Sequence, residues 1–290
     1  MSPLIAQLVQ EAPVVTDGAW GTQLQARGLP AGACADEWNL SHADEVESVA
    51  REYVEAGSRV LLTNTFRANR LALGASHLAE ALGAINRAGV EISQRAAAGR
   101  ALVFASIGPS GKLLATGQVG EEELRNAFAE QAQMLAAAGA DALVVETMCD
   151  LREAKLALEA AKVTGLPVVV SMVFDSGKGK DRTLTGQTPE QVAEALAAAG
   201  AEGIGANCGQ GLAGYTRVCR RLRAATDRPL WIKPNAGLPE IVNGKIVYRM
   251  TAEEFAGYAP ALVEAGASFI GGCCGTNAEF IAALVRQLGR

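Results

Sequence analysis

Short apolar segments rich in β-branched residues recur along the chain, and each is followed by a stretch with room for a helix. The segments are apolar at consecutive positions, which is typical of strands buried on both faces of a parallel sheet. In the stretch 45–54, by contrast, apolar residues recur three and four positions apart and form one helical face. The pattern predicts eight strands, at 14–18, 59–65, 102–109, 142–148, 167–174, 203–208, 229–237 and 269–274.

A repeated phrase at the ends of four predicted helices supports this number of strands. The sequences EAGS, AAGA, AAGA and EAGA occupy 55–58, 137–140, 198–201 and 264–267, each just before a predicted strand. Their glycine suits the left-handed position that follows a helix C-terminus. Eight strand–helix units predict a single α/β domain over residues 1–290 with the fold of a (β/α)8 TIM barrel. An open, doubly wound sheet is the alternative.

Composition narrows the class of protein without identifying its function. With 49% hydrophobic and 20% charged residues, the chain has the composition of a well-packed soluble globular protein. A net charge of −5 argues against a nucleic-acid-binding protein, which carries a basic surface. The sequence shows neither a signal-peptide pattern nor an apolar run long enough to span a bilayer, so a cytoplasmic protein is expected.

Several common catalytic motifs are absent, which leaves thiols and carboxylates as the candidate chemistry. The sequence lacks GxGxxG after its first predicted strand, GxxxxGK[ST] and GxSxG, and its two histidines lie away from the strand ends. In a TIM barrel the C-terminal ends of the strands form the active face. The residues predicted at those ends are Asp17, Asn64, Thr65, Ser106, Glu146, Asp175, Asn207, Cys208, Asn235, Cys273 and Cys274.

Three of the six cysteines are therefore predicted to meet at one mouth of the barrel. Three thiolates suit zinc and leave a fourth coordination position open, as catalytic zinc sites do. The alternatives are a closed structural zinc site, a redox-active pair, or cysteines packed in the core. A disulfide between the adjacent Cys273 and Cys274 would be strained, because neighbouring Cα atoms lie about 3.8 Å apart and disulfides need about 4.4–6.8 Å. The remaining cysteines, predicted to serve packing, are Cys34, Cys149 and Cys219.

Seven motifs extend this pattern over nearly the whole chain. They are DGAWGTQL (17–24), EAGSRVLLTNTF (55–66), ASIGPSG (105–111), VVETM (144–148), GANCG (205–209), KPNAG (233–237) and GGCCGT (271–276). In this order they resemble the homocysteine S-methyltransferase family. That family includes betaine–homocysteine methyltransferase and the homocysteine-binding module of cobalamin-dependent methionine synthase.

The resemblance implies roles for individual residues. It implies a (β/α)8 barrel in which Cys208, Cys273 and Cys274 bind Zn²⁺ and the sulfur of L-homocysteine takes the fourth position. It also implies that Asn235 fills this position when substrate is absent. Family members hold the ammonium group of homocysteine with acidic residues and its carboxylate with backbone amides of a turn. Here the acidic residues match Asp17 and Glu146, the turn matches Trp20 and Gly21, and Asn207 is included among the substrate-binding residues.

The expected reaction is the methylation of L-homocysteine to methionine. A free alkyl thiol has a pKa of about 8.5, and binding to zinc favours the nucleophilic thiolate. One barrel accounts for the length of the chain, and the corrinoid-binding motif DxHxxG is missing. The methyl group is therefore expected from a separate methylated corrinoid protein, and the likeness of residues 234–248 to the methionine synthase module favours this donor. A small onium donor, S-methylmethionine or betaine, is the alternative, and a non-catalytic structural zinc protein is the alternative of another class.

Overall fold

The computed structural model describes residues 1–209, 211–242 and 245–290, with the backbone alone for Lys245. Strands and helices alternate along these ranges as the sequence predicts. The strands are β1 Val14–Val15, β2 Val60–Leu62, β3 Leu102–Ile107, β4 Ala142–Met148, β5 Val168–Met172, β6 Gly203–Asn207, β7 Leu230–Lys233, β8 Glu240–Val242, β9 Lys245–Val247 and β10 Ala267–Ile270. The helices are α1 Pro3–Gln10, α2 Gly21–Ala26, α3 Trp38–Ser41, α4 Ala43–Glu55, α5 Arg70–Gly74, α6 Leu82–Ala97, α7 Glu121–Ala137, α8 Leu151–Lys162, α9 Pro189–Ala198, α10 Leu212–Ala225, α11 Ala252–Gly257, α12 Ala259–Glu264 and α13 Ala278–Leu288.

Eight parallel strands form a barrel, which confirms the predicted TIM fold. They pair in the order β1, β10, β7, β6, β5, β4, β3 and β2. The two end strands also meet, through a parallel bridge between Thr16 and Val60. A 2.8 Å hydrogen bond from the Arg59 amide to the Val15 carbonyl oxygen strengthens this junction. Because the sheet closes on itself, the alternative of an open, doubly wound sheet is wrong.

The helix–strand junctions follow the predicted glycine phrase. The glycines of the four phrases all have positive φ, at 101°, 95°, 90° and 99° for Gly57, Gly139, Gly200 and Gly266. They follow α4, α7, α9 and α12, so the predicted left-handed helix ends are confirmed. Strand boundaries were less accurate. Except at β4, which ends at Met148 as predicted, the predicted segments extend past the C-terminal ends of the observed strands, because the chain leaves the ladder there and enters the loops at the mouth of the barrel.

Alternate residues of the strands point into the barrel and fill it. Phe104, Val144, Trp231 and Phe269 belong to one interior cluster and are at most 1% exposed. Their sequence neighbours, such as Val145, belong to a second cluster between the sheet and the helices. The barrel is therefore a packed core rather than a pore, as is usual for this architecture.

Helix α1 closes the N-terminal end of the barrel. Its buried residues Ile5 and Leu8 join the interior cluster. The amide of Ser2 donates a 2.6 Å hydrogen bond to Glu202, which directly precedes β6. The opposite, C-terminal mouth is thus the end at which a cavity can form.

Polar residues occupy the inward positions above the apolar cluster. Ser106, Glu146, Ser171 and Lys233 each lie two positions after an apolar inward residue of the same strand, and Asn207 ends β6. All five are buried. A buried polar group costs free energy unless it is hydrogen-bonded or paired, so this layer must be connected internally or to a ligand. The predicted site therefore lies at the C-terminal mouth.

The stretch 234–248 contains an antiparallel hairpin between β7 and α11. Strands β8 and β9 pair from Glu240 with Val247 to Val242 with Lys245. Residues 243 and 244, which belong to the stretch that resembles methionine synthase, lie outside the described residues. Among the helices of the described ranges, none combines the length and the apolar character needed to cross a membrane.

Candidate metal centre and active-site cavity

The sulfur atoms of Cys208, Cys273 and Cys274 lie within 4.8 Å of one another. The Sγ atoms of Cys208 and Cys274 are 3.8 Å apart. Tetrahedral zinc with Zn–S bonds of about 2.3 Å would place its sulfur ligands about 3.8 Å apart. All six cysteines are free. The sulfur spacing therefore fits one shared metal ion and not a disulfide.

Backbone conformation and tight packing bring the three thiols together. Cys208 directly follows β6 and has a φ of 60°, which turns the chain sharply after the strand. The loop after β10 is fixed by a 2.8 Å hydrogen bond from the Cys273 amide to the Pro234 carbonyl oxygen. Gly272 has no room for a Cβ atom because the side chain of Thr276 occupies that space. The glycines beside the two adjacent cysteines are thus required by close packing.

Hydrogen bonds between the three thiols move their pKa values apart. Hydrogen bonds from the thiols of Cys273 and Cys274 lower the pKa of Cys208 to about 3. The pKa of Cys274 is raised to about 12, and the pKa of Cys273 is raised as well, chiefly because each donates to the Cys208 sulfur. The arrangement favours the thiolate at Cys208, and a bound metal would require the other two sulfurs to lose their protons as well.

Asn235 places its side-chain amide beside the cysteines. Its side chain is buried, and its amide nitrogen donates a 3.3 Å hydrogen bond to the carbonyl oxygen of Gly209. Its Oδ1 atom finds no donor within the described part of the chain. The same side chain helps to lower the pKa of Cys208, so it lies against the metal site. Three sulfurs and one unpaired buried oxygen are a donor set that fits zinc.

A cavity of about 300 Å³ opens next to the three sulfurs. Its lining includes Trp20, Gly21, Glu146, Thr147, Lys233 and all three cysteines. Apolar atoms form most of the surface of this lining, and the charged side chains of Asp36, Arg67, Glu146 and Lys233 are among the lining residues. A small-molecule site commonly has this character, because apolar walls exclude water and a few polar groups set the orientation.

Glu146 is a buried carboxylate at the wall of the cavity. One of its oxygens accepts a 2.5 Å hydrogen bond from the Ser106 hydroxyl, and the other lies 3.5 Å from the amide nitrogen of Asn207. Burial raises the pKa of Glu146, while the charge of Lys233 and the hydrogen bond from Ser106 oppose the rise. The second oxygen is the less strongly bonded one and can accept from a ligand.

Asp17 lies behind the cavity lining and is already bonded. It is fully buried and forms an ion pair with Lys233, whose side chain is only 3% exposed. Its second oxygen accepts 2.8 Å hydrogen bonds from the Trp20 indole and from the Leu62 amide. The sequence analysis did not single out Lys233. A lysine among the apolar residues of a predicted barrel strand was the available signal, because a charge buried there needs a partner.

The predicted site residues thus gather at one mouth, in two layers. Trp20, Gly21, Glu146 and the three cysteines line the cavity, whereas Asp17 and Asn207 are buried immediately behind it. Of the polar residues at other strand ends, Asn64 and Ser106 line the cavity, and Thr65 is buried and donates to the Ser106 carbonyl oxygen. Cys34, Cys149 and Cys219 stay outside the three-sulfur cluster, in agreement with the prediction.

The fold and the site together define a (β/α)8-barrel protein with three cysteines suited to a metal, facing a cavity for a small molecule. The family model of homocysteine S-methyltransferase matches residues 14–288. The chain belongs to the homocysteine S-methyltransferase family, which confirms the resemblance found in the sequence.

Relatives and solved structures agree with this assignment. The chain is 32% identical to the methionine synthase of Mycobacterium leprae over 99% of its own length and 25% of that protein. It is 28% identical to betaine–homocysteine S-methyltransferase 1 of Danio rerio, over 95% of the chain and 72% of that protein. The metallated homocysteine methyltransferase MmuM from Escherichia coli superposes with a TM-score of 0.83 at 26% identity, covering 99% of this chain and 100% of that one. The chain therefore spans about a quarter of the methionine synthase that it matches.

Proposed function

We propose that this protein is a zinc-dependent methyltransferase that activates the thiol of L-homocysteine and methylates it to methionine. One observation carries the proposal. The sulfurs of Cys208, Cys273 and Cys274 have the spacing of zinc ligands and also line a cavity that contains the Glu146 carboxylate. A metal that binds sulfur and an acid that binds ammonium are the two groups needed to hold a thiol amino acid by both ends.

The charges around the cavity support an ammonium ligand. Asp17 and Glu146 contribute two buried negative charges when ionised, and Lys233 contributes one positive charge. Asp36 and Arg67, which also line the cavity, carry opposite charges that cancel when both are ionised. A substrate ammonium group would balance the remaining negative charge. We assign the direct contact to Glu146 at the cavity wall, and Asp17, buried behind the wall, contributes its charge. Neither residue needs to transfer a proton in this role.

The turn at the start of α2 supports a place for the substrate carboxylate. Trp20 and Gly21 line the cavity, and α2 begins at Gly21. The first amides of a helix have no acceptor within the helix. We assign the carboxylate to the amides around Trp20 and Gly21. The indole of Trp20, bonded to Asp17, keeps this turn in place.

Zinc would supply one part of the chemistry: it holds a sulfur as thiolate, so that the sulfur stays nucleophilic near neutral pH. The three cysteines provide the anionic ligand set. Glu146, Asp17 and the turn at Trp20 orient the amino acid so that its sulfur points to the cysteines. The sulfur then attacks the methyl carbon of the donor as the bond from that carbon to the leaving group breaks. Asn235 is assigned the fourth metal position in the absence of substrate, because its Oδ1 is buried and accepts from no described group.

A methylated corrinoid protein remains our proposed donor, because the stretch 234–248 resembles the methionine synthase module. One observation favours the alternative, a small onium donor. Trp20 and Phe66 both line the cavity, and aromatic faces attract onium cations. Incubating the zinc-loaded protein and L-homocysteine with S-methylmethionine, betaine, or a methylated corrinoid protein, and measuring methionine, distinguishes the donors.

The test of the thiol-binding step is X-ray absorption at the zinc edge, with and without L-homocysteine. The proposal expects three sulfur ligands and one light atom in the free protein, and four sulfurs with substrate. A first shell that does not change on adding L-homocysteine would favour a closed structural zinc site. Protein purified under reducing conditions that takes up no zinc would overturn the proposal.

A further inference from the structure

Two consecutive residues, Glu146 and Thr147, line the same cavity, which a regular strand does not permit. Successive side chains of a strand point to opposite faces of the sheet. The register between β4 and β5 shifts between Val145 and Met148, so β4 contains one extra residue and forms a β-bulge. Met148 then packs in the cluster between the sheet and the helices, to which Val145 also belongs. The bulge therefore turns Thr147 to the side of Glu146.

Thr147 adopts an unusual backbone conformation at this bulge. Its φ is 59°, in the left-handed region that β-branched residues rarely adopt. Such a conformation persists only where the surrounding structure enforces it. Asn207 provides the constraint: its Oδ1 accepts a 2.9 Å hydrogen bond from the Thr147 amide, and its Nδ2 donates a 2.7 Å hydrogen bond to the Thr147 hydroxyl. The two ends of one side-chain amide thus hold both the backbone and the side chain of Thr147.

Asn207 is itself fixed in one orientation. It is fully buried at the end of β6, and its Oδ1 also accepts a 2.7 Å hydrogen bond from the Ser171 hydroxyl. Because the Thr147 amide and the Ser171 hydroxyl both donate to this atom, it is the amide oxygen and not the nitrogen. The Nδ2 atom on the other side lies 3.5 Å from the Glu146 carboxylate and 3.8 Å from the Cys273 sulfur. Asn207 therefore lies between the acidic group and the metal ligands.

We propose that Asn207 and Thr147 are positioning residues, which align the Glu146 carboxylate with the three cysteines at the distance that a thiol amino acid requires. The proposal rests on the proposed function and changes the expected role of Asn207. Instead of contacting substrate, Asn207 acts through Thr147 and Glu146 from behind the cavity wall. Precise alignment matters because the rate of a reaction between positioned groups can fall about 100-fold when one of them is misplaced by about 1 Å.

The experiment compares two thiols by calorimetry on the zinc-loaded protein. L-Homocysteine carries the ammonium group, and 4-mercaptobutanoic acid is the same chain without it. The ratio of their dissociation constants measures the ammonium contact alone. Asn207→Ala and Thr147→Val should reduce the preference for L-homocysteine by about 10-fold or more, the usual worth of a hydrogen bond to a charged group. The affinity for 4-mercaptobutanoic acid and the zinc content should stay the same.

Two further variants separate positioning from general stability. Thr147→Ser keeps the hydroxyl that bonds to Asn207, so it should retain most of the preference. Thr147→Gly relieves the left-handed strain and removes the hydroxyl, so it should raise thermal stability and still reduce the preference. Ala98, with a φ of 46° at the end of α6, offers the matched control. Ala98→Gly should relieve strain without changing the affinity for either thiol.

Each outcome decides the question. An unchanged preference in Asn207→Ala and Thr147→Val would overturn the positioning role. Equal weakening of both thiols, or loss of zinc, would overturn it too, because the residues would then support the site only in general. If the unsubstituted zinc-loaded protein binds neither thiol, the proposed function itself fails, and that result is distinct from the other two.

Discussion

Asp17 and Lys233 form an ion pair at the inner end of the cavity, with side-chain exposures of 0% and 3%. Asp17 also accepts hydrogen bonds from Trp20 and Leu62, which leaves it well bonded. Buried charges of this kind tolerate the loss of one partner poorly, because the other is left uncompensated. The pair joins β7 to the loop after β1 and so supports the floor of the site.

Replacing Lys233 by methionine should destabilise the protein strongly. The uncompensated charge of Asp17 gives an expected loss of about 3–5 kcal/mol in the free energy of unfolding, measured by urea denaturation. Asp17→Asn combined with Lys233→Met should recover part of this loss. As a control, Arg59→Met removes the exposed partner of Glu11 and should change the free energy by less than about 1 kcal/mol. Equal losses of stability in Lys233→Met and Arg59→Met would contradict this prediction.

Zinc content should depend on three cysteines and be independent of a nearby fourth. Substituting Cys208, Cys273 or Cys274 by serine should reduce bound zinc well below one equivalent, measured by atomic absorption after dialysis. Cys149 is partly buried and lies outside the three-sulfur cluster, so Cys149→Ser is the matched control and should keep a full equivalent. Loss of zinc in Cys149→Ser alone would refute the assigned ligand set.

Asn235→Ala should change the metal site without emptying it. The three sulfurs remain, so zinc should still bind, and water should replace the amide oxygen as the light ligand. Removing a competing ligand should tighten L-homocysteine binding by several-fold, because the substrate sulfur no longer displaces Asn235. Calorimetry measures this affinity, and zinc-edge absorption monitors the first shell. Weaker L-homocysteine binding at unchanged zinc content would speak against the proposed ligand exchange.

Asp36, which lines the cavity and is 1% exposed, should make stability depend on pH. Burial raises its pKa from 3.8 to about 6. The folded state therefore binds this proton more tightly than the unfolded state does, and the contribution of Asp36 to stability falls as pH rises from about 4 to about 6. The two-unit difference corresponds to about 3 kcal/mol. When the pH is raised from 4 to 7, the free energy of unfolding of Asp36→Asn should therefore rise by about this amount relative to that of the unsubstituted protein.

A carboxylate of opposite behaviour is the control for Asp36. Hydrogen bonds from Arg221 lower the pKa of Glu190 to about 2. Its contribution to stability is present above the unfolded pKa and is lost as pH falls toward the folded value. Glu190→Gln should therefore be less stable than the unsubstituted protein at pH 7, and this difference should vanish at low pH. The difference should be small, because the pair of Glu190 with Arg221 is partly exposed to solvent. If both variants shift in the same direction in urea titrations, the assignment of Asp36 is wrong.

The architecture was readable from the sequence because its signals are local. Consecutive apolar runs and the glycine phrase at helix ends depend on neighbouring residues, and both led to the observed barrel. The three cysteines were also predictable, because strand ends of a closed barrel must converge. Helix α1 was not predicted as the closure of the barrel, since Ile5 and Leu8 pack against strands that are distant in the sequence.

The inner arrangement of the site could not be read from the sequence. The left-handed conformation of Thr147 depends on Asn207, which lies 60 residues further along the chain. The partner of Asp17 is likewise 216 residues away. No local pattern distinguishes an aspartate that faces the cavity from one that is bonded behind it. Such assignments need the register of the strands and the packing of the side chains.

The closed lower half of the barrel has a kinetic consequence for the proposed reaction of two substrates. Trp231, Phe104 and Phe269 fill the interior below Lys233, and α1 covers the far end. Within the described part of the chain, acceptor and donor must therefore enter through the same mouth. Whichever molecule lies deeper has to arrive first and leave last. In the proposed complex the sulfur of L-homocysteine lies beside the cysteines, which makes L-homocysteine the deeper molecule. If so, steady-state rates should follow an ordered sequence in which excess donor blocks the entry of acceptor.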